Sequence, residues 1–310
     1  MCGIVGIWEF DGAVDVALLE SMRDTLAHRG PDDKGTYIGD SGRVGLGHRR
    51  LAILDLTPAG HQPMSYEGVW AVHNGEVYNF RSLRERLIAE GHVFESQSDT
   101  EVIIKGYHQW GVEAVRHFRG MFATALWDSS DRKLYLIRDR AGVKPLYYYK
   151  TPERLIFASE MRAILGHPSV KRELDQGALA LYLKLGYVPA PRSIFRDIAK
   201  LEAGHILTID AEGRLENRAY WDVFDCFRGS AETALSEEEA TDELERILVD
   251  SFNLRMVSDV PVGVFLSGGI DSATVTALLQ KGSSTPVSTF TIGFTDEAYN
   301  EAKAASEIAT

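Results

Sequence analysis

The fold class predicted for this 310-residue sequence is an α+β domain with helices laid over packed sheets, followed by the opening of a parallel α/β domain. Two observations carry that expectation. Roughly the first two hundred residues alternate many short β-rich segments with only a few amphipathic helices. Past Gly213 the pattern changes to a long helix, then an apolar strand, a Ser-Gly-Gly turn, a helix and a second apolar strand in succession.

Taken in order, strands are expected at Gly3–Trp8, Val44–His48, Val69–His73, Met121–Trp127, Lys133–Ile137 and Leu146–Tyr149, where apolar and β-favouring residues alternate or run together. Helical spacing joins Leu19, Met22 and Leu26, then Leu83, Leu87 and Ile88, then Val102, Ile103 and Tyr107. Asn79 and Asp99 are placed to cap the second and third helices, and Gly91 and Gly111 to end them. After Gly213 a polar stretch from Arg228 to Ser236 leads into a helix that opens on a capping box, Ser236 with Glu239. Leu244, Ile247, Leu248, Ser251 and Phe252 share one face of it. The strands Val262–Leu266 and Val287–Ile292 then flank a helix through Leu279, the order of a parallel βαβ unit. The expected organisation is a first domain over 1–213, a linker over 214–235 and a second domain beginning at 236 and running to 310.

Composition removes several function classes. The 45 acidic residues outnumber 33 basic ones, a formal charge of -12 that argues against nucleic acid or an anionic membrane as an obligatory partner. No apolar run approaches membrane-spanning length, and the first residues lack a basic-then-apolar leader pattern. Only Cys2 and Cys226 occur, so a disulfide framework is not expected and a reducing, cytoplasmic compartment fits. Cys226 reads as a half-buried packing residue. The nine histidines show no HExxH spacing, which disfavours a zinc site.

Cys2 is the most informative residue. Removal of Met1 leaves a thiol and an α-amine on one residue, with reference pKa values near ~8.5 and ~7.7–8.0, so the amine can take the thiol proton and no separate histidine is needed. The alternative is a small buried hydrophobe. Such a nucleophile needs an oxyanion site and a substrate grip. Asn74 and Gly75, after the strand Val69–His73, can supply a side-chain amide and a close-approaching backbone N–H, although Asn-Gly also marks hairpin turns. Arg50 can hold a carboxylate in two-pronged fashion or be simply solvated. Asp99 can hold an ammonium group or serve as a helix cap.

A second constellation is Leu266-Ser267-Gly268-Gly269-Ile270-Asp271-Ser272. A strand feeding a Ser-Gly-Gly turn at a helix start presents backbone N–H groups, hydroxyls and a helix dipole to an anion. Asp271 would repel a bare phosphate and so suggests a bridging Mg²⁺ as metal ligand. The competing reading is a tight strand-to-helix turn. No lysine follows the glycines, so this is not the GxxxxGKS phosphate loop.

Six segments, taken together, resemble the class II glutamine amidotransferases, which are N-terminal nucleophile hydrolases: Cys2-Gly3, His28-Arg29-Gly30-Pro31-Asp32, Arg50-Leu51-Ala52-Ile53, Asn74-Gly75-Glu76-Val77-Tyr78-Asn79, Ser98-Asp99-Thr100-Glu101 and Arg119-Gly120-Met121-Phe122-Ala123. The resemblance implies a layered αββα fold, with Cys2 as nucleophile and base and Asn74 and Gly75 as oxyanion hole. It further implies that Arg50, Glu76 and Asp99, with the chain at Leu51, Ala52, Ile53 and Leu54, hold the amino-acid end of glutamine. The later hexapeptide resembles the pyrophosphate loop of ATP pyrophosphatases. Joined to an N-terminal glutaminase, it is similar to the glutamine-dependent asparagine synthetases and their relatives.

That resemblance implies ATP and Mg²⁺ at Leu266, Ser267, Gly268, Gly269, Asp271, Ser272 and Ile292, with glutamine as nitrogen donor and aspartate or another carboxylate as acceptor; a homodimer is left open. The synthetase domain of that family continues well past the equivalent of Thr310, so the chain is expected to be a fragment, with residues after Gly213 poorly stable unless covered. An acceptor other than aspartate, or a non-catalytic scaffold of the same fold, are the competing functions. A sugar-phosphate or phosphoribosyl amidotransferase would leave the Ser-Gly-Gly loop unexplained.

Overall fold

In the computed structural model, which describes residues 1–228 and 235–309, the chain separates into two compact units, Met1–Gly229 and Ser230–Thr310. The first runs β1 (Gly3–Glu9), α1 (Val16–Asp24), β2 (Asp33–Gly39), β3 (Val44–Arg50), β4 (Met64–Tyr66), β5 (Val69–Val77), α2 (Phe80–Ala89), α3 (Asp99–Trp110), β6 (Gly120–Asp128), β7 (Lys133–Arg138), β8 (Tyr147–Lys150), β9 (Arg154–Ala158), α4 (Met161–Ile164), α5 (Gln176–Leu185), β10 (Ile198–Lys200), β11 (His205–Ile209), β12 (Leu215–Ala219) and α6 (Val223–Arg228). Two six-stranded sheets result, ordered β10-β8-β9-β1-β3-β2 and β12-β11-β7-β6-β5-β4. Each is antiparallel throughout its ladders.

The layering follows from strand periodicity. Every residue of β1 is buried because the strand is covered on both faces. Ile4 and Trp8 join Val44, Leu46, Val72, Ala123, Ala125 and Trp127 in the core between the sheets. Val5 and Ile7 point the other way, into a second core with Leu19, Met22 and Leu26 around α1 and Ala163 and Ile164 of α4. On the far side, α3 lies against β5 with Val102, Ile103 and Ile104 buried. The order is therefore helix, sheet, sheet, helix, the expected αββα arrangement.

All six expected strands form, two of them with extensions that matter: β3 runs on to Arg50 and β5 to Val77. Asn74–Glu76 are consequently not a turn after the strand but part of it, paired with Ala123, Phe122 and Met121 of β6. Asp99 is not the cap of α3: Ser98 is, its hydroxyl accepting the Thr100 N–H, which leaves the Asp99 carboxylate available for other partners. Asn79 precedes α2 as expected, but its side chain bridges to the His117 carbonyl and the Arg119 N–H instead of capping. The boundary expected at Gly213 falls too early. Leu215–Ala219 pairs with β11 along its whole length and belongs to the first unit, so 214–228 is not linker, and much of the expected polar stretch, residues 229–234, lies outside the described residues. Cys226 on α6 is exposed, not half-buried.

The second unit contains α7 (Glu237–Arg255), β13 (Val264–Phe265), α8 (Ile270–Lys281), β14 (Thr289–Phe290) and α9 (Ala302–Ile308). The capping box at Ser236 and Glu239 forms with both of its hydrogen bonds. β13 and β14 pair in parallel around α8, though each is much shorter than the apolar runs that contain them. Leu244 and Ile247 of α7 are exposed rather than buried, as are Phe265, Phe290 and Ile292. Among the described residues no helix is long and apolar enough to cross a membrane.

Candidate active site

The first cluster gathers where the start of β1, the end of β3 and the end of β5 meet. Register places Cys2 one residue beyond the Gly3↔Arg49 pair, beside Arg50 and the loop that follows it. The Leu51 N–H approaches the Cys2 Sγ at 3.4 Å, and the Sγ in turn lies 3.7 Å from the Leu51 carbonyl. The Cys2 carbonyl accepts from Arg29 Nε at 2.9 Å, and Arg29 is itself held by Glu160 at 3.0 Å. The residue that carries the sulfur is thus tied down on both sides. His48 Nε2 donates to the His73 carbonyl at 3.0 Å, a cross-sheet bond between β3 and β5 one residue before Asn74.

Asn74 is 0% exposed, and among the described residues neither its Oδ1 nor its Nδ2 has a hydrogen-bond partner. Buried polar atoms are almost always paired, so an amide left open in this way is poised for something that arrives. Gly75 has φ +148, and a Cβ there would sit 2.0 Å from the Met121 carbonyl oxygen and 2.6 Å from Phe122 Cα. The position requires glycine because β6 occupies the space a side chain would need.

The charges converge. Burial pushes the Cys2 thiol up, with Glu76 and Asp99 pushing the same way, while the Leu51 N–H and the terminal amine pull it back. Burial raises the Glu76 carboxyl, as does Asp99, whereas Lys144, the terminal amine and Arg50 oppose the shift. Burial also lowers the Met1 α-amine, assisted by Lys144 and Arg29 and opposed by Cys2 and Asp32. Cys2, Glu76, Asp99, Arg50 and Lys144 therefore share one electrostatic neighbourhood. Asp99 Oδ2 accepts the Val77 N–H at 2.8 Å.

Arg50 is neither solvated nor wholly uncommitted: its Nη1 reaches the Thr57 carbonyl at 3.3 Å, and Nη2 reaches those of Leu54 and Asp55 at 2.9 and 2.5 Å. A guanidinium has five N–H donors, so this cradle orients it and leaves donors over. Ala52 is anchored by its N–H to Asp32 at 2.8 Å, and Arg50, Ala52 and Asp32 line one cleft with His61. Among the described residues Ile53 has no such anchor.

Sequence reasoning missed three contributors: Arg29, quoted only as part of a motif, Lys144 and Asp139. Asp139 accepts the N–H groups of Phe122, Ala141, Val143 and Lys144, fixing a turn on the β6 residue opposite Gly75. A run of charged residues continuing directly from an apolar strand, Arg138-Asp139-Arg140, was the available signal.

The second cluster lies in the second unit. Ser267 and Ser272 bond through their hydroxyls at 2.9 Å, and Ser272 Oγ also accepts the Ser267 N–H at 3.1 Å, closing the loop onto the first turn of α8. Gly269 caps that helix with no side-chain hydrogen bond. Leu266, Ser267 and Ile292 line a cleft of about 370 Å³ with Phe290 and Tyr299. Gly268 is exposed on the loop and Asp271 on the first turn of α8. The set suits an anion: the N-terminus of a twelve-residue helix opening on a Ser-Gly-Gly turn. No group of three or more His, Cys, Asp or Glu able to hold a metal occurs among the described residues, so Asp271 would need a phosphate to complete a cation's shell.

Comparison with known proteins adds the family. The chain is 38% identical, over 95% of its length, to the putative asparagine synthetase [glutamine-hydrolyzing] 2 of Methanocaldococcus jannaschii, covering 60% of that protein. It is 37% identical over its whole length to asparagine synthetase [glutamine-hydrolyzing] 1 of Bacillus subtilis, covering 48% of it. The chain thus spans about half the length of these curated relatives. Its fold is shared with the solved glutamine phosphoribosylpyrophosphate amidotransferase of B. subtilis, at a TM-score of 0.53 and 17% identity over 94% of this chain and 65% of that one. Residues 243–310 match the asparagine synthase family. Residues 1–221 match the glutamine amidotransferase domain, and it is to that family that the chain belongs.

Proposed function

We propose that this chain carries the glutaminase half of a glutamine-dependent asparagine synthetase, hydrolysing glutamine at Cys2, together with the first part of the ATP-dependent half. The observation that carries the reading is the fully buried Asn74 amide with both polar atoms open among the described residues, on the strand whose Glu76 shares the electrostatic neighbourhood of a cysteine with anchored carbonyl and sulfur.

In this reading Met1 is removed and the α-amine of Cys2 takes the thiol proton. The sulfur attacks the side-chain carbonyl of glutamine, and its oxygen, now negative, receives hydrogen bonds from Asn74 Nδ2 and the Gly75 N–H. Collapse expels ammonia, which leaves with the proton held by the amine. Water then cleaves the γ-glutamyl thioester and releases glutamate. Arg50 holds the α-carboxylate, Glu76 and Asp99 hold the α-ammonium, and the chain from Leu51 to Leu54 closes over the substrate. The raised carboxyl of Glu76 suits a group that becomes fully ionised when an ammonium arrives.

In the second unit, Leu266, Ser267, Gly268, Gly269, Asp271, Ser272 and Ile292 would hold ATP, with Asp271 sharing a Mg²⁺ that neutralises phosphate charge. There ATP activates the carboxylate of aspartate for attack by ammonia, giving asparagine, AMP and pyrophosphate. A cytoplasmic setting completes the reading. The test supplies the full-length gene product with glutamine, aspartate and ATP. Asparagine, AMP and pyrophosphate in equal amounts support it; glutamate release with no asparagine would reassign the acceptor, and the absence of glutamate release would remove the glutaminase.

A further inference from the structure

His73 precedes Asn74 on β5, and its ring faces the Asp99 carboxylate. It is 2% exposed and bonded at three of its four polar atoms. Its N–H donates to Gln62 Oε1 at 2.7 Å, its carbonyl accepts from His48 Nε2 at 3.0 Å, and its Nδ1 lies 2.8 Å from Thr124 Oγ1, the residue directly opposite in β6. The fourth atom, Nε2, has no hydrogen-bond partner among the described residues and points at Asp99 Oδ2, 3.5 Å away. That separation is too long for a formed hydrogen bond, yet no other acceptor serves this buried nitrogen.

The tautomer follows from the neighbours. A bare ring nitrogen facing a carboxylate would be repelled, so Nε2 carries the hydrogen and Nδ1 accepts from the Thr124 hydroxyl. Both the Val77 N–H and His73 Nε2 then address Oδ2 of Asp99, which leaves Oδ1 as the oxygen open to a ligand. Gln62 reinforces the arrangement by bonding Thr100 Oγ1 at 3.1 Å, so the first turn of α3 is tied to β5 on either side of the carboxylate.

We propose that His73 is a positioning residue for recognition of the substrate's α-ammonium: it holds Asp99 by Oδ2 so that Oδ1 meets the cation. This rests on the reading of Asp99 as part of a glutamine site. In the filled site the Nε2–Oδ2 separation shortens, since contacts around a bound ion tighten relative to the empty protein.

The test uses two substrates on the mature chain, glutamine and glutaric acid monoamide, which has the same amide and carboxylate but no α-ammonium. The readout is the ratio of kcat/KM values for the two, which does not depend on the fraction of protein folded. His73→Asn keeps a donor-acceptor group near Thr124 and loses the one aimed at Asp99; His73→Gln keeps the latter. His73→Asn is expected to lower the glutamine-to-monoamide ratio by about tenfold, through KM for glutamine, the value of one hydrogen bond to a charged group. His73→Gln should stay within about threefold of the parent. A ratio unchanged in His73→Asn while Asp99→Asn lowers it overturns the role of His73 alone. A ratio unchanged in Asp99→Asn as well overturns the glutamine-site reading, and the role of His73 with it.

Discussion

Replacing Asn74 by alanine separates catalysis from folding in an unusual way. The side chain is 0% exposed and makes no hydrogen bond among the described residues, so truncation removes no ground-state bond. Leaving a buried amide unpaired costs on the order of 1–3 kcal/mol, which offsets a similar cost for the small cavity that alanine leaves. Net stability should therefore change by no more than about 1 kcal/mol, or about 2–4 °C in Tm for a chain of this size. Loss of one oxyanion donor, by contrast, lowers turnover by about 10²–10³. Glutamate release from glutamine, followed together with thermal unfolding, should show kcat falling by that factor with KM and Tm nearly unmoved. A large drop in Tm with kcat per folded molecule retained would refute the reasoning, as would a loss confined to KM.

Other changes follow from the same geometry. Lys144 lies in the electrostatic neighbourhood of Cys2, so once Met1 is removed a cation there favours the neutral Cys2 amine; activity of the mature chain should rise with pH as that amine loses its proton, and Lys144→Gln should move that limb to higher pH, which a pH–rate profile of kcat/KM checks. Burial and Asp99 raise the folded-state Glu76 carboxyl from 4.5 to about 9, so between those values the native chain keeps a proton that the unfolded chain releases, and stability falls as pH rises across that window. Glu76→Gln should accordingly raise Tm at pH 8 by a few degrees and hardly at all at pH 4, while raising KM for glutamine, as calorimetry and kinetics would show. Gly75→Ala places a Cβ 2.0 Å from the Met121 oxygen and should destabilise by about 1–3 kcal/mol, measured by denaturant unfolding. Limited proteolysis should degrade the second unit before the first, since Phe265, Phe290 and Ile292 are exposed there while the first unit buries two cores.

What was readable in the sequence, and what was not, divides along physical lines. β1, β5, β6 and β7 announce themselves because they are buried on both faces and carry unbroken apolar runs. β12, Leu-Glu-Asn-Arg-Ala on a sheet edge, has no such run, and its loss from the reading moved the domain boundary to Gly213. β2, with Asp33, Lys34 and two glycines, hides for the same reason. Within the site, Cys2, Asn74, Gly75, Glu76 and Asp99 were legible as chemistry-bearing types in a recurring order. The strand continuation through Val77 was not, because Asn-Gly is a turn signal unless a neighbouring strand pairs with it, and only Gly120–Asp128 supplies that pairing. Lys144 and His73 stayed hidden because their roles depend on who stands next to them in space: a turn built on Asp139 for one, and the first turn of α3 for the other.

The central claim is that the first residue of the processed chain activates its own sulfur against a glutamine amide. Mass spectrometry of the N-terminal peptide, after treatment with a glutamine analogue that bears an alkylating group in place of the amide, tests it most directly. A single adduct is expected on Cys2 in chains that have lost Met1, blocked by excess glutamine, and none in chains that retain Met1. Equal labelling of Cys2 with Met1 still attached, or an adduct that forms only at the exposed Cys226, would contradict it.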